Sequence, residues 1–274
     1  MYEKLQVNKT IEVISVVSAF TAKREKGYAF AGESHDFWEL LFLHSGRLTV
    51  TAGARVLRLY GGEVIFHKPF EFHKLAADND DRPKYTVISF SASGANMHFF
   101  ENCVLRPGPA SAAVFSDLAR LIAVGRGRSD GLLPDSFADG GRLEFFARTL
   151  ELFLLSCLAG QRTGEQVYSE DALLYSEAVD YMQRNIGGSP SVADIAAGLA
   201  VSESKLKRVF YKYSMLGVHR YFLNLKIERA GRLLSDGMPV GEVSRLLGFE
   251  NQNYFSAVYK RETGINPSSV RRAE

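Results

Sequence analysis

Two segments near the C-terminus repeat one layout, and that repeat limits the fold more than any other feature. SVADIAAGLAVSESKLKRVFYK (191–212) aligns with PVGEVSRLLGFENQNYFSAVYK (239–260). Val192, Ile195 and Leu199 match Val240, Val243 and Leu247 at an offset of 48. Leu206, Val209 and Phe210 then match Phe255, Val258 and Tyr259 at an offset of 49, so the second copy has one extra residue in its turn. A short apolar-periodic helix, a tight turn and a longer helix make a helix-turn-helix unit. The chain therefore holds two such units in tandem.

The second helix of each copy is amphipathic in the same sense. In the first, Leu206, Val209, Phe210 and Tyr213 form one face, and Glu203, Ser204, Lys207, Arg208 and Tyr211 the other. In the second, Phe255, Val258, Tyr259 and Glu262 cluster, which leaves Gln252, Asn253, Ser256, Ala257 and Lys260 outward. Amides, hydroxyls and cations bond base edges in a major groove, and Lys or Arg also hold phosphates. A lone polar helix face is usually only solvated, but two in tandem, in the basic part of the chain, favour DNA. Residues 203–274 carry 13 basic and 7 acidic side chains, whereas 1–169 carry 19 of each. The net charge of +2 hides this local excess of +6. Between the copies, 218–236 reads as one helix of roughly 28 Å. That is comparable to one turn of B-DNA, so two reading helices can enter successive grooves of one duplex.

Upstream the character differs. WELLFLHSG, GRLTVTAG, RVLRLYGGEVIFH and KYTVISFSA are short, β-branched or aromatic, and punctuated by glycine, which predicts an antiparallel barrel or sandwich. After Pro109 a short helix (111–124), a polar loop (125–131) and an amphipathic helix (141–159) are expected. Leu143, Phe146, Leu150, Phe153 and Cys157 on the last recur like a coiled-coil seam, suited to packing on the barrel, on a second subunit, or both. The polar stretch 160–166 is the linker candidate, and a further helix is expected over 171–186. The fold class is thus α+β, with domains expected at 1–108, 109–166 and 167–274.

Cys103 and Cys157 sit among apolar neighbours with no metal or disulfide spacing, so both read as buried thiols. The most apolar stretch, 145–160, is interrupted by Arg148 and Glu151 and is too short to span a bilayer. A soluble cytoplasmic chain with no membrane partner is expected.

The C-terminal region resembles the AraC/XylS family of bacterial transcription regulators. The resemblance runs through Asp194-Ile195-Ala196, Ser202, Ser204-x-Leu206-x-Arg208-x-Phe210 and Gly217. It continues through Ile227-x-x-Ala230-x-x-Leu233-Leu234, Gly248-Phe249, Tyr254-Phe255, Tyr259-Lys260, Gly264 and Pro267. It implies base contacts from Ser204, Lys207 and Arg208 in the first unit, and from Gln252, Asn253 and Ser256 in the second, with Lys260 beside them. Family members very often carry arginine where this chain has Ala257, so the second unit is expected to discriminate bases less.

Segments 34–50 and 61–75 resemble the cupin-like barrel at the front of many such regulators. The resemblance implies a small-molecule effector, with His35, Trp38, Glu39 and His73 as candidate contacts. A barrel mouth is a normal ligand site that Phe30, Phe37, Trp38 and Phe66 could wall, although core is the favoured place for each of them. Cupin enzymes bind a metal through His-x-His, Glu and a later His. His35, Glu39 and His73 match three of these, but Glu33 stands where the first histidine belongs. The reading therefore assigns no metal, no cofactor and no catalytic residue. It expects a DNA-binding regulator that answers a small molecule, a homodimer, and contact with RNA polymerase as a further partner. The alternatives are a metal-dependent cupin enzyme fused to a DNA-binding domain, or a regulator without an effector.

Overall fold

A computed structural model describes residues 6, 8–78, 80–124, 137, 140–167 and 169–270. The expected loop 125–131 lies outside the described residues. Among the described residues the sheets hold ten strands: β1 (Glu12–Lys23), β2 (Trp38–Ser45), β3 (Arg47–Ala52), β4 (Arg55–Tyr60), β5 (Val64–His67), β6 (His73–Ala77), β7 (Lys84–Ser93), β8 (Val104–Arg106), β9 (Gln161–Arg162) and β10 (Glu165–Gln166). They form two antiparallel sheets, in the orders β1-β7-β2-β5-β8-β9 and β10-β4-β3-β6.

Alternation along each strand sorts the side chains into two cores. Leu41, Leu43, Leu48, Val50, Leu59, Ile65 and Val87 fill the space between the sheets. Trp38, Leu40, Phe42, Val64, Phe66, Ile88 and Phe90 face the other way, onto helices α1 (Pro109–Val124) and α2 (Gly140–Cys157). The seam of α2 (Phe146, Leu150, Phe153 and Cys157, with Leu143 partly buried) packs into this second core, so of the two uses open to it the seam covers the chain's own barrel. Glu151 fixes the register: its carboxylate accepts the backbone N–H of Val13 at 2.9 Å and pairs with Arg148. The two cysteines are buried and unpaired, as expected.

The linker candidate is woven into the sheets. β9 pairs with β8 and β10 with β4, and the N–H of Val167 donates to Val56 O at 2.9 Å. The charged and polar composition that suggests a tether belongs here to edge strands, where side chains reach solvent while the backbone stays hydrogen-bonded.

Beyond it lie α3 (Glu170–Arg184), α4 (Val192–Gly198), α5 (Glu203–Ser214), α6 (Val218–Ser235), α7 (Val240–Leu246) and α8 (Gln252–Thr263). The repeat survives in the bounds: α4 and α7 begin and end 48 residues apart, α5 and α8 49 apart. Each longer helix opens on a side-chain cap, Ser202 accepting from Lys205 N and Asn251 from Tyr254 N. Each closes on a left-handed residue, Met215 or Gly264. Helix α6 serves both units, giving Tyr221, Phe222 and Leu225 to the first core and Ile227, Ala230, Leu233 and Leu234 to the second. The first of these cores also takes in Val56 and Phe72 of the barrel. Above it, the hydroxyls of Tyr175 and Tyr221 both donate to Gly53 O, at 3.1 and 3.3 Å. Among the described residues no helix is long and apolar enough to cross a membrane.

Candidate DNA-reading helices and sensing cavity

Cores that hold α5 and α8 by one face leave the other in solvent. Ser204, Lys207 and Arg208 are exposed on α5, and Gln252, Asn253, Ala257 and Lys260 on α8, while Ser256 is partly covered. The two helices present the expected residues on their outer faces but not in the same electrostatic state. Arg208 donates both terminal nitrogens to the Asp171 carboxylate at 3.2 Å, and Lys212 reaches the same carboxylate at 2.9 Å. Hydrogen bonds from Lys212 and Arg208 hold the Asp171 carboxyl below its ordinary range. Lys207 pairs with Glu203 one turn away. Lys260 has no ion pair among the described residues, and with Ala257 beside it this outer face is only weakly cationic. Sequence reasoning missed the Asp171 clamp, because a carboxylate on a different helix leaves no periodic signal on α5. It also left Tyr254, half-exposed beside Asn253, out of the reading set.

Inside the barrel is a cavity of about 350 Å³, walled by Phe20, Tyr28, Phe30, Phe37, Leu75 and Val87, with Arg24, Glu33, His35, Glu39, Tyr85 and Ser89 as its polar groups. Of the four candidate effector contacts, the structure brings together His35, Glu39 and His73 and excludes Trp38. Neighbours on a strand point to opposite faces, so with Glu39 turned inward Trp38 must turn outward into the core beneath α1 and α2, where Phe66 also lies. Trp38 is therefore corrected from cavity contact to core, Phe66 takes the core place favoured for it, and Phe30 and Phe37 line the cavity. Arg24, Tyr28 and Tyr85 were missed. Arg24 donates to Tyr85 Oη at 3.0 Å and lies over the Tyr28 ring at 4.6 Å.

At the polar end of the cavity, Glu33, His35 and Glu39 of its wall form a quartet with the buried His73 behind them. Glu33 and His73 face each other across an isolated antiparallel bridge, exchanging backbone hydrogen bonds of 2.9 Å. Glu39 is buried and accepts from Ser89 Oγ at 3.1 Å, its register partner on β7. His35 stacks on Phe37 with ring centroids 3.8 Å apart, and His73 stacks on His67 at 4.3 Å. Burial alone pushes the Glu39 carboxyl up, but His35 and His73 beside it reverse this and hold it well below the carboxylate range. Burial likewise opposes charge on His73, yet Glu33, Glu39 and the Glu71 carbonyl raise it to about 10. One ligand atom from each of Glu33, His35, Glu39 and His73 fits in a group spanning no more than 4.8 Å, so this set has the composition and closeness of a metal site.

The quartet borders the joint between the halves of the molecule. Glu33 and His35 also wall a cleft of about 410 Å³ whose far side is Arg220, Asn224 and Ile227 of α6 and Glu262 of α8. Arg220 pairs there with Glu262 at 2.9 Å.

Comparison with known proteins agrees with both halves. Residues 15–137 match an AraC-like ligand binding domain, and residues 195–273 match a helix-turn-helix domain. The chain is 25% identical over 266 residues to the Msm operon regulatory protein of Streptococcus mutans, covering 94% of this chain and 92% of that one. It is 27% identical over 220 residues to the arabinose operon regulatory protein of Escherichia coli, covering 77% and 72%. Among solved structures it is similar to ToxT from Vibrio cholerae, at a TM-score of 0.40 and 15% identity, covering 95% of this chain and 96% of that one. The two operon proteins are named as regulatory proteins, and the matches indicate no enzymatic family. The chain thus joins an AraC-like ligand-binding domain to a DNA-binding helix-turn-helix domain of the AraC type, and the relatives it matches are AraC-family regulators.

Proposed function

We propose that the protein regulates transcription in the bacterial cytoplasm by reading a promoter site with α5 and α8, and that a small polyhydroxylated molecule in the barrel cavity sets its DNA affinity. One observation carries the coupling: Glu33 and His35 belong both to the cavity and to the cleft against α6 and α8. A ligand that rearranges them favours one arrangement of the joint over another, which is all a regulatory equilibrium requires. Aromatic faces interleaved with carboxylates, hydroxyls and a guanidinium suit a sugar-like molecule, since ring faces cover its C–H surface and the polar groups take its hydroxyls. A relative named for an arabinose operon supports the same class.

On the DNA side, Ser204, Lys207 and Arg208 are assigned to base and phosphate contacts in the first half-site, and Gln252, Asn253, Ser256 and Lys260 to weaker ones in the second. Arg208 is expected to exchange the Asp171 carboxylate for DNA on binding. Arg208→Ala should weaken binding to a selected duplex by about 1–3 kcal/mol, with a smaller loss on random duplex. Asp171→Asn, which frees the same guanidinium, should tighten both. Fluorescence anisotropy on the two duplexes measures this, and an unchanged specific-to-random ratio in Arg208→Ala removes the base-reading assignment.

A homodimer is assigned to the outward stripe of α2 rather than to its seam, which the barrel occupies. Phe145, Leu152 and Leu155 are exposed along it, beside a groove shared with Val114 and Leu121 of α1. Phe145→Ser with Leu152→Ser should raise the dimer dissociation constant at least tenfold, since each replacement removes roughly 1.5–3 kcal/mol of apolar burial. Sedimentation equilibrium reads the result. A monomeric parent, or a variant as dimeric as the parent, refutes it.

A further inference from the structure

The polar end of the barrel cavity offers more donor capacity than protein partners use. His35 Nδ1 lies 3.0 Å from Phe37 O, and His73 Nδ1 lies 3.0 Å from Glu71 O. A carbonyl only accepts, so both rings carry hydrogen on Nδ1 and turn Nε2 toward the quartet. Both Nε2 atoms are buried and lack a hydrogen-bond partner among the described residues. That of His73 lies 3.4 Å from Glu39 and 3.8 Å from Glu33, and that of His35 lies 3.7 Å from the other Glu39 oxygen. A metal held at about 2.1 Å by such ligands sets adjacent donors about 3 Å apart and opposite donors about 4.2 Å apart. The observed separations need only a slight contraction to match. An imidazole whose Nδ1–H is tied to a backbone carbonyl is also fixed in the orientation that metal-binding histidines adopt.

We propose that Glu33, His35, Glu39 and His73 bind one divalent transition-metal ion, and that its occupancy tunes the joint between the barrel and the DNA-binding helices. Two carboxylates and two neutral imidazoles balance a dication. A mixed nitrogen and oxygen set selects manganese, iron or zinc over magnesium and calcium. The sequence pattern argued against a metal because Glu33 replaces a histidine, but the Glu33–His73 bridge carries its carboxylate to the same point. The regulatory part rests on the reading of the barrel as the sensing half. Glu33 is half-exposed and belongs to the cleft facing Arg220 and Glu262, so drawing it inward onto a metal removes one carboxylate from that joint.

The test uses the full chain, stripped with a chelator and titrated calorimetrically with manganese, zinc, magnesium and calcium. One manganese or zinc ion per chain is expected, at least tenfold tighter than magnesium or calcium. Glu33→Gln should weaken it at least tenfold at an unchanged unfolding temperature, and His73→Asn should abolish it. Substoichiometric uptake, or uptake equally strong in Glu33→Gln, means adventitious binding only and overturns the site. Operator affinity should differ between stripped and loaded parent protein and stay constant in Glu33→Gln. Equal affinities in the parent overturn the regulatory role. A sugar that binds the stripped protein and shifts DNA affinity with the same strength as in the loaded form upholds the effector reading and removes the metal's part in it. Stoichiometric metal with no responsive sugar upholds the site and removes the effector reading.

Discussion

Phe210→Ala is expected to destabilise the protein by about 3–5 kcal/mol and to abolish DNA binding. Phe210 is fully buried in the core of the first unit, tilted against Tyr175 with centroids 5.2 Å apart and edge-on to Tyr221 at 5.4 Å. Those two tyrosines are the ones that donate to Gly53 O, so the cavity left by the ring opens beneath the contact between the halves. Val56 and Phe72 of the barrel share that core, and Lys74 of β6 donates to Lys212 O at 2.6 Å on the same side. The loss should therefore appear in both halves. Thermal unfolding followed by tyrosine absorbance and by far-ultraviolet circular dichroism should move together to lower temperature. A barrel transition that stays in place while the helical one falls would show that the shared core contributes little.

Gly248→Ala is expected to cost about 2–4 kcal/mol. Gly248 follows α7 at φ +65°, where an added Cβ costs roughly 1–2 kcal/mol by itself. That Cβ would also stand 2.2 Å from Gly187 O, a backbone atom with no room to retreat. The repeat supplies its own control. Ala200 holds the equivalent place in the first unit at φ +54°, with its methyl accommodated. Ala200→Gly is expected to leave stability within about 1 kcal/mol, whereas Gly248→Ala should fail the same denaturant titration by several times that amount. Equal, small effects at the two positions would mean that the approach of Gly187 is loose in solution.

The helical half was legible almost to the residue because its information is local. Periodicity, caps and a one-residue offset recur in both copies, and the helix bounds obey the same offsets. The barrel was legible only in part. β1 alternates poorly, since register shifts between Val13 and Ser15 and between Val16 and Ser18 break the period of two that marks a strand. β2 is buried on both faces from Trp38 to Leu43, so hydrophobicity alone cannot say which side meets the cavity, and Trp38 went to the wrong one. Glu39 was the residue that carried that information, through its cross-strand partner Ser89. The quartet was visible as types but not as a group: only the bridge between Glu33 and His73 shows that the mismatched residue joins the others.

Strands β9 and β10 bear on how the molecule can be dissected. A fragment meant to carry the sensing half and cut before Gly160 would bare the edges of β8 and β4, each with unpaired backbone groups ready to recruit a neighbouring chain. Running it through Val167 keeps both edges closed. The same two-residue strands place the start of α3 within three residues of the Val167–Val56 hydrogen bond, so the helices inherit the barrel's orientation with almost no slack.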